Sequence, residues 1–462
     1  MCQLSGVASS GRMLSARGSM SIPQENTNMP ESTAPLPPTA QSAGELDALF
    51  GLRTLKFPGA GKTIAKGVAI TPSGQIMVSA TVELSGHSCY GLARLDADGN
   101  PDPAFGDGGY LNGEFGTGSL TQGGPLIVDA LGRIWMCGVI GVVKDQTLEY
   151  QQVIARFLPD GSPDIDFGGD RNGYRIVPMR IPSLFGATHG QLLLAKSDPQ
   201  LAQPDRLLFV TAQKGSGLLT RFHLDGSDDL SFASNGWLPL SLPGVAITLS
   251  GIIQLDDGLI LLHGKTEVTN QGLVMAFDHN GKVAQAFGDK GVLLLNIQRD
   301  GKLLESSVAD IAVQTAQRLL LLGSAVESTQ GTKLQHGFIS GITYAGQMDD
   351  AFNNPVLSPT AHELDLRGWQ AGFALDDIAG QRIVAVGQTS GSARGLLAGG
   401  FLVDGAVDDS FDVEGAKDVS WPAIDACLQG SSILVLGRRD DSAQLVRLLT
   451  APVTKQRANM GN

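Results

Sequence analysis

The chain has 462 residues, 42% apolar and only 17% charged, with a formal net charge of −13 at pH 7. That balance argues against nonspecific nucleic-acid binding, which needs Lys and Arg to displace counterions, and against docking on anionic membranes. No run approaches the roughly 20 apolar residues that span a bilayer as a helix, and 60 glycines, nearly twice the usual share of about 7%, favour turns over long helices.

Residues 1–43 are rich in Ser, Thr, Pro, Met and Gln, and are expected to be disordered. They contain no apolar core of a secretory signal, so the expected location is cytoplasmic or reached by a non-classical export route. Met20 is an alternative start to Met1.

From Gly44 onward one pattern recurs. Seven phenylalanines, Phe50, Phe105, Phe167, Phe232, Phe287, Phe352 and Phe411, follow one another at intervals of 55 to 65 residues. Six residues before each stands a glycine, from Gly44 and Gly99 to Gly405, the residue suited to a tight turn. Three residues before six of them stands an aspartate: Asp47, Asp102, Asp164, Asp229, Asp349 or Asp408. An aspartate there can cap one helical turn by accepting its free N–H groups.

Between phenylalanines the chain reads as four short strands. In the first full interval these are Gly67–Ile70, Gln75–Thr81, Cys89–Leu95 and a strand opening at Tyr110, with a polar loop expected over Glu83–Ser88. The second strands, such as Arg133–Val139 and Arg318–Gly323, are continuously apolar, as strands buried on both faces are. Repeated four-stranded antiparallel sheets close as a propeller.

The chain ends set the blade count. After Phe411 only three strands remain, Ala423–Leu428, Ile433–Gly437 and Gln444–Leu449. The missing fourth is Leu52–Phe57, at the other end of the chain. The expected fold is therefore all-β: a seven-bladed β-propeller over residues 44–451, closed by the N-terminal strand joining the C-terminal blade, with a polar tail at 452–462. Closure removes exposed sheet edges.

The third strands carry Arg94, Arg156, Arg221 and Arg447, each in a repeat that has the corner Asp. Where Ala276 replaces Arg, Ala284 replaces Asp. This joint loss predicts Arg–Asp pairing across the corner as a structural clamp, while the phenylalanine is expected to plug the seam between blades.

The pattern A-R-L-x-x-D-G-x-x-D-x-x-F-G-x-x-G over Ala93–Gly109 resembles the bacterial delta-60 repeat family. The resemblance extends over about residues 44–450 and is looser where Gly341 and Gly400 replace Arg. It implies a β-propeller of unknown function and brings no catalytic residues with it.

Local chemistry motifs are weak. Gly59–Thr63 ends like a phosphate-binding loop, but Lys56 stands where its first glycine belongs and Ile64–Ile70 reads as strand. Asp96–Asp102 alternates oxygen ligands as a calcium loop does, with its glycine at the wrong position; turn chemistry explains it better. The four cysteines, Cys2, Cys89, Cys137 and Cys427, lack zinc-ligand spacing, and Cys137 lies in an apolar run that predicts a buried thiol. The seven histidines show no metal-binding spacing, so no cofactor is expected.

A propeller binds at one face of its ring through the connections between blades. The most chemically loaded connection is His362–Trp369, followed by Arg180–His189 and Lys417–Trp421. His362, Asp365, Arg367, Trp369 and Trp421 are the candidate binding residues, since Trp and Arg dominate interfaces; the competing reading has the tryptophans filling blade seams. The leading expectation is a monomeric, non-enzymatic propeller that recognises a protein or carbohydrate partner on one face. The alternatives are a hydrolase or lyase with its site at the channel mouth, and a secreted or surface adhesion protein associated with virulence.

Overall fold

The computed structural model describes residues 41–453 except 117–119, 145, 179–189, 212–216, 316, 330–331, 354, 358–364, 378–379, 391–394 and 413–418. Its described residues form seven antiparallel blades and no α-helix. Blade 1 comprises Lys62–Ile70, Ile76–Leu84, His87–Leu95 and Tyr110–Gly113; blade 2 comprises Leu120–Val128, Ile134–Lys144, Thr147–Phe157 and Tyr174–Ile176. Blade 3 runs through Gln191–Ala195, Arg206–Thr211, Gly217–His223 and Trp237–Leu240, and blade 4 through Ile247–Gln254, Ile260–Thr266, Gly272–Phe277 and Val292–Leu294. Blade 5 is Glu305–Thr315, Arg318–Thr329, Thr332–Thr343 and Val356–Leu357.

Blade 6 shows Asp365–Asp377, Gly380–Ser390 and Leu396–Leu402 among the described residues. The Leu396 N–H donates to the Val419 carbonyl at 2.9 Å, which places Val419 beside the third strand. Blade 7 is Ala423–Gln429, Ser432–Arg439 and Ser442–Leu449, and its fourth strand is Arg53–Leu55. Arg53, Thr54 and Leu55 oppose Leu445, Gln444 and Ala443, and pairing continues outward to Gln41 and Val453. The ring closes between the two ends of the chain, as the strand count predicted.

Local sequence explains the strands. In the second strand of blade 1, residues 76–82 are buried without interruption, and in blade 5 Leu319–Leu322 are all 0% exposed. Each Val, Leu, Ile or Met among them contributes about 1.5–3 kcal/mol on burial. Seven apolar clusters result, one for each pair of neighbouring blades. The expected polar loop at Glu83–Ser88 is instead a tight hairpin: Ser85 and Gly86 both have positive φ, the geometry of a two-residue turn that matches strand twist.

The corner is a clasp between blades. Asp102 Oδ1 caps its turn by accepting the Ala104 N–H at 2.9 Å, and Asp229, Asp349 and Asp408 do the same one repeat after another. The expected ion pairs are present: Arg94–Asp102 at 2.8 Å, Arg156–Asp164 at 2.7 Å, Arg221–Asp229 at 2.8 Å and Arg447–Asp47 at 2.7 Å. The same guanidiniums lie over the corner rings, Arg94 at 4.8 Å from the Phe105 centroid and Arg221 at 4.7 Å from Phe232.

Their remaining donors reach forward to the next blade. Arg94 Nη1 donates to the Pro159 carbonyl at 2.8 Å, Arg447 Nη1 to Ala97 at 3.1 Å, and Arg156 and Arg221 to Leu224 and His279. Five of the phenylalanines, Phe50, Phe105, Phe167, Phe232 and Phe287, also pack on the next blade's turn glycine: a Cβ on Gly161 would sit 2.7 Å from the Phe105 ring, and one on Gly281 2.8 Å from Phe232. Phenylalanine therefore fills the seam, and the turn position stays glycine for space as well as for its positive φ.

Blades 5 and 6 lack the third-strand arginine but not the clasp. Arg318 and Arg382, at the start of their second strands, pair with Asp349 at 2.5 Å and Asp408 at 2.8 Å, and reach the Val403 and Thr450 carbonyls of the following blades. Gly341 and Gly400 occupy the vacated positions, where a Cβ would lie 2.6 Å from Phe352 and 2.4 Å from Phe411. The guanidinium has moved one strand inward and the ring has taken its place. Blade 4, with Ala276 and Ala284, holds its corner by backbone among the described residues, the Ala284 N–H donating to the Ala276 carbonyl at 2.9 Å.

Candidate functional site: the channel lined by the innermost strands

The first strand of each blade lies innermost, and in most blades it is bulged. Register jumps at Ala65/Gly67, Gly123/Leu126, Leu249/Gly251, Val308/Asp310, Trp369/Ala371 and Ala423/Asp425. A bulge leaves a residue unpaired and re-aims its side chain. The residues so placed include Lys66, Pro125, Ser250, Ala309, Gln370 and Ile424.

The irregular backbone is satisfied from the neighbouring blade. Ser79 Oγ donates to the Gly124 carbonyl at 2.7 Å, Cys137 Sγ faces the Gly190 carbonyl at 3.4 Å, and His263 Nδ1 lies 3.4 Å from the Val308 carbonyl. These three residues hold the same place in the second strands of blades 1, 2 and 4. In blades 5 and 7 that place is taken by Leu322 and Leu436, opposite Asp310 and Asp425. There the polarity reverses: Asp310 Oδ2 accepts the Gly372 N–H at 2.9 Å, and Asp425 Oδ2 accepts the Val68 N–H at 2.8 Å. An unpaired buried backbone group costs about 1–3 kcal/mol, so one polar side chain per seam here secures the inner ring.

These latches have perturbed acidities. Burial pushes the Asp425 carboxyl up to about 7, with Asp310 adding to the shift and the Val68 and Ala426 N–H groups opposing it. Burial also lifts the Cys137 thiol to about 12 and lowers the His263 imidazole, which keeps it neutral. His263 fills the space over Gly251, where a Cβ would lie 2.4 Å from Nε2.

Blades 1, 2, 3 and 7 enclose a cavity of about 440 Å³ in this inner ring. Its wall is mixed: side chains such as Ile70, Leu126, Ile127 and Leu192 supply the apolar part, and Lys66, Gln191 and Asp425 with exposed backbone supply a polar part of similar extent. The size falls within the ~300–1,000 Å³ typical of small-molecule sites. No sequence motif marks it, although an acid inside an apolar first strand, as in Val308–Val313 and Ala423–Leu428, was a legible signal of the two aspartate latches.

Of the residues expected from sequence to bind a partner, Trp369 and Trp421 are buried in two different seams. Trp369 is 4% exposed in the cluster between blades 5 and 6, and Trp421 is 2% exposed between blades 6 and 7. Glycines make room for both rings: a Cβ on Gly337 would lie 2.6 Å from Trp369, and one on Gly437 2.0 Å from Trp421. The tryptophans thus fill seams, the competing reading of the sequence. Asp365 and Arg367 belong to the innermost strand of blade 6 rather than to a connection. His362 lies outside the described residues, as do all of Arg180–His189 and Lys417.

Residues 71–105, from the first turn of blade 1 to its corner phenylalanine, match the family model described as a domain of unknown function (DUF5122) beta-propeller. The solved structure described as "Structure of Dos1 propeller" is similar at 11% identity and a TM-score of 0.40, covering 87% of this chain and 96% of that one. Comparison with curated proteins finds no match.

Proposed function

We propose that this propeller is a non-enzymatic binding or scaffold module that takes a protein or glycan partner on the face opposite the corners. Strand direction puts the corners and the turns between first and second strands on one face. The turns between second and third strands, and the connections between blades, lie on the other. On the corner face most arginines and aspartates are committed to the clasps described above.

The observation that carries this reading is a group of exposed apolar side chains on adjoining connections of blades 4 and 5. Val268 is 74% exposed, Leu303 52% and Leu334 39%. Leu303 belongs to an extra hairpin, Gln298–Arg299 paired with Lys302–Leu303, inserted between the two blades. The Ser306 N–H donates to the Asn270 carbonyl at 2.6 Å, which joins that insertion to the Val268 turn. Grouped exposed apolar residues are the usual mark of an interaction surface. The start of the blade 6 inner strand, with Asp365 and Arg367, opens on the same face.

The test is affinity capture with purified protein against the doubly substituted Val268→Glu/Leu303→Glu and, as a corner-face control, Leu49→Glu/Leu230→Glu. A partner bound by the native protein should be lost with the first pair and kept with the second. Equal retention by both pairs, or loss with the corner pair alone, contradicts the proposal.

A further inference from the structure

Lys66 is the feature of the channel that the fold does not account for. It stands at the bulge where other blades place Pro125, Ser250, Ala309, Gln370 or Ile424, so neither the bulge nor the blade requires a cation. Its side chain lines the 440 Å³ cavity. The groups its ammonium feels are Arg438 and Cys137, and no carboxylate among the described residues is one of them. Asp425 lines the same cavity but is turned to the backbone, its two oxygens accepting the Val68 and Ala426 N–H groups at 2.8 and 2.9 Å. Lys66 is therefore a half-buried cation with a second cation nearby, on a cavity whose wall is part apolar and part polar.

We propose that the channel cavity binds a small organic monocarboxylate, its anionic head held by the Lys66 ammonium and the Gln191 amide and its alkyl chain lying against Ile70, Ile127 and Leu192. Charge selects the head. An ammonium with no counter-ion among the described residues gains a charge-assisted hydrogen bond, roughly twice as strong as a neutral one. Asp425 selects against dianions, because a second negative charge in the chamber would meet its carboxyl. The apolar part of the wall selects for a hydrocarbon tail, each buried CH₂ adding about 0.8 kcal/mol. Burial and Arg438 both hold the Lys66 ammonium below its ordinary range, and a bound anion opposes both effects. This site lies in the ring's interior, and does not rest on the partner-binding face proposed above.

The experiment is isothermal titration calorimetry of the full chain with hexanoate, 1-hexanol, succinate and inorganic phosphate at pH 7.5. Hexanoate should bind saturably at one site, at least about tenfold tighter than any of the other three. Lys66→Met, which keeps the length and removes the charge, should weaken hexanoate about tenfold or more and leave hexanol unchanged. Lys62→Met, at the surface pair with Glu83, should leave both unchanged. If Lys66→Met does not fold, Gln191→Met carries the test, with a severalfold loss expected. Hexanol binding as tightly as hexanoate, succinate or phosphate binding tighter, unaltered hexanoate affinity in the variants, or no saturable hexanoate binding to the native protein would each overturn the proposal.

Discussion

Asp425 accepts the Val68 N–H at 2.8 Å, and that one bond joins the last blade to the first at the inner edge of the ring. At the outer edge the chain ends are joined within the last blade by Arg53–Leu55 pairing with Ser442–Leu449, and at the corner by Arg447, which holds Asp47 and the Ala97 carbonyl of the first blade. The point where the chain ends meet is thus fastened at three radii.

The Asp425 latch makes stability depend on pH. Its folded acidity lies near 7, against an ordinary 3.8, so between those values the folded state holds a proton that the unfolded chain has released. Stability is fully present below about pH 4, falls as pH rises through the window at up to about 1.4 kcal/mol per unit, and levels off above about 7. Asp425→Asn should flatten this slope. Thermal unfolding should show the variant gaining on the native protein from pH 5.5 to 8; parallel curves would refute the assignment.

Breaking a clasp should cost much more than an ordinary surface pair. Arg156 and Asp164 are 5% and 6% exposed, and removing one partner of a buried pair costs about 3–5 kcal/mol. Arg156→Ala also strips the Leu224 carbonyl and the Phe167 ring of their contacts. A urea double-mutant cycle with Asp164→Ala should give a coupling of about 1–3 kcal/mol. A coupling near zero would mean that the pair is incidental.

The relocated arginines make the third-strand glycines irreplaceable. Gly341→Ala would drive a Cβ to 2.6 Å from the Phe352 ring base, atoms that cannot swing away without leaving the seam. Overpacking of this kind costs about 1–3 kcal/mol, which a shift in denaturation midpoint would register. Gly74→Ala, with no atom within 4 Å of the new Cβ, is the comparison: it has the positive-φ strain alone, and should cost less.

The thiols should be silent while the ring is intact. Burial lifts both Cys137 and Cys427 to about 12, and only the thiolate is an effective nucleophile. Maleimide labelling followed by mass mapping should leave both unmodified in native protein and modify both in urea. Rapid native labelling of Cys137 would show that the seam between blades 2 and 3 opens.

Most of the scaffold was legible because its determinants are local. A turn glycine, a capping aspartate and a phenylalanine sit within six residues of each other, and four Arg–Asp pairs lie eight residues apart or meet across the chain ends. Arg318 and Arg382 were not legible, because they reach the same aspartates from a different strand and only the register brings them there. Trp369 and Trp421 looked like surface anchors since their holes are made by Gly337, Gly399 and Gly437 on neighbouring strands, a complementarity invisible along the chain. The channel was hidden for a related reason: Lys66, Gln191 and Asp425 come from three blades, and no motif along the chain marks any of them.

Everything proposed for the channel depends on the ring closing between the chain ends, since Asp425 belongs to the last blade and Lys66 to the first. Thr54 and Gln444 face each other across the closing pair, their side chains hydrogen-bonded at 3.0 Å. The direct measurement is therefore oxidative cross-linking of the Thr54→Cys/Gln444→Cys variant, followed by mass spectrometry and thermal unfolding. An intramolecular disulfide between positions 54 and 444 that raises the unfolding temperature is the predicted result. Failure to cross-link in the folded monomer, or linkage only between two chains, would contradict a ring closed by the N-terminal strand.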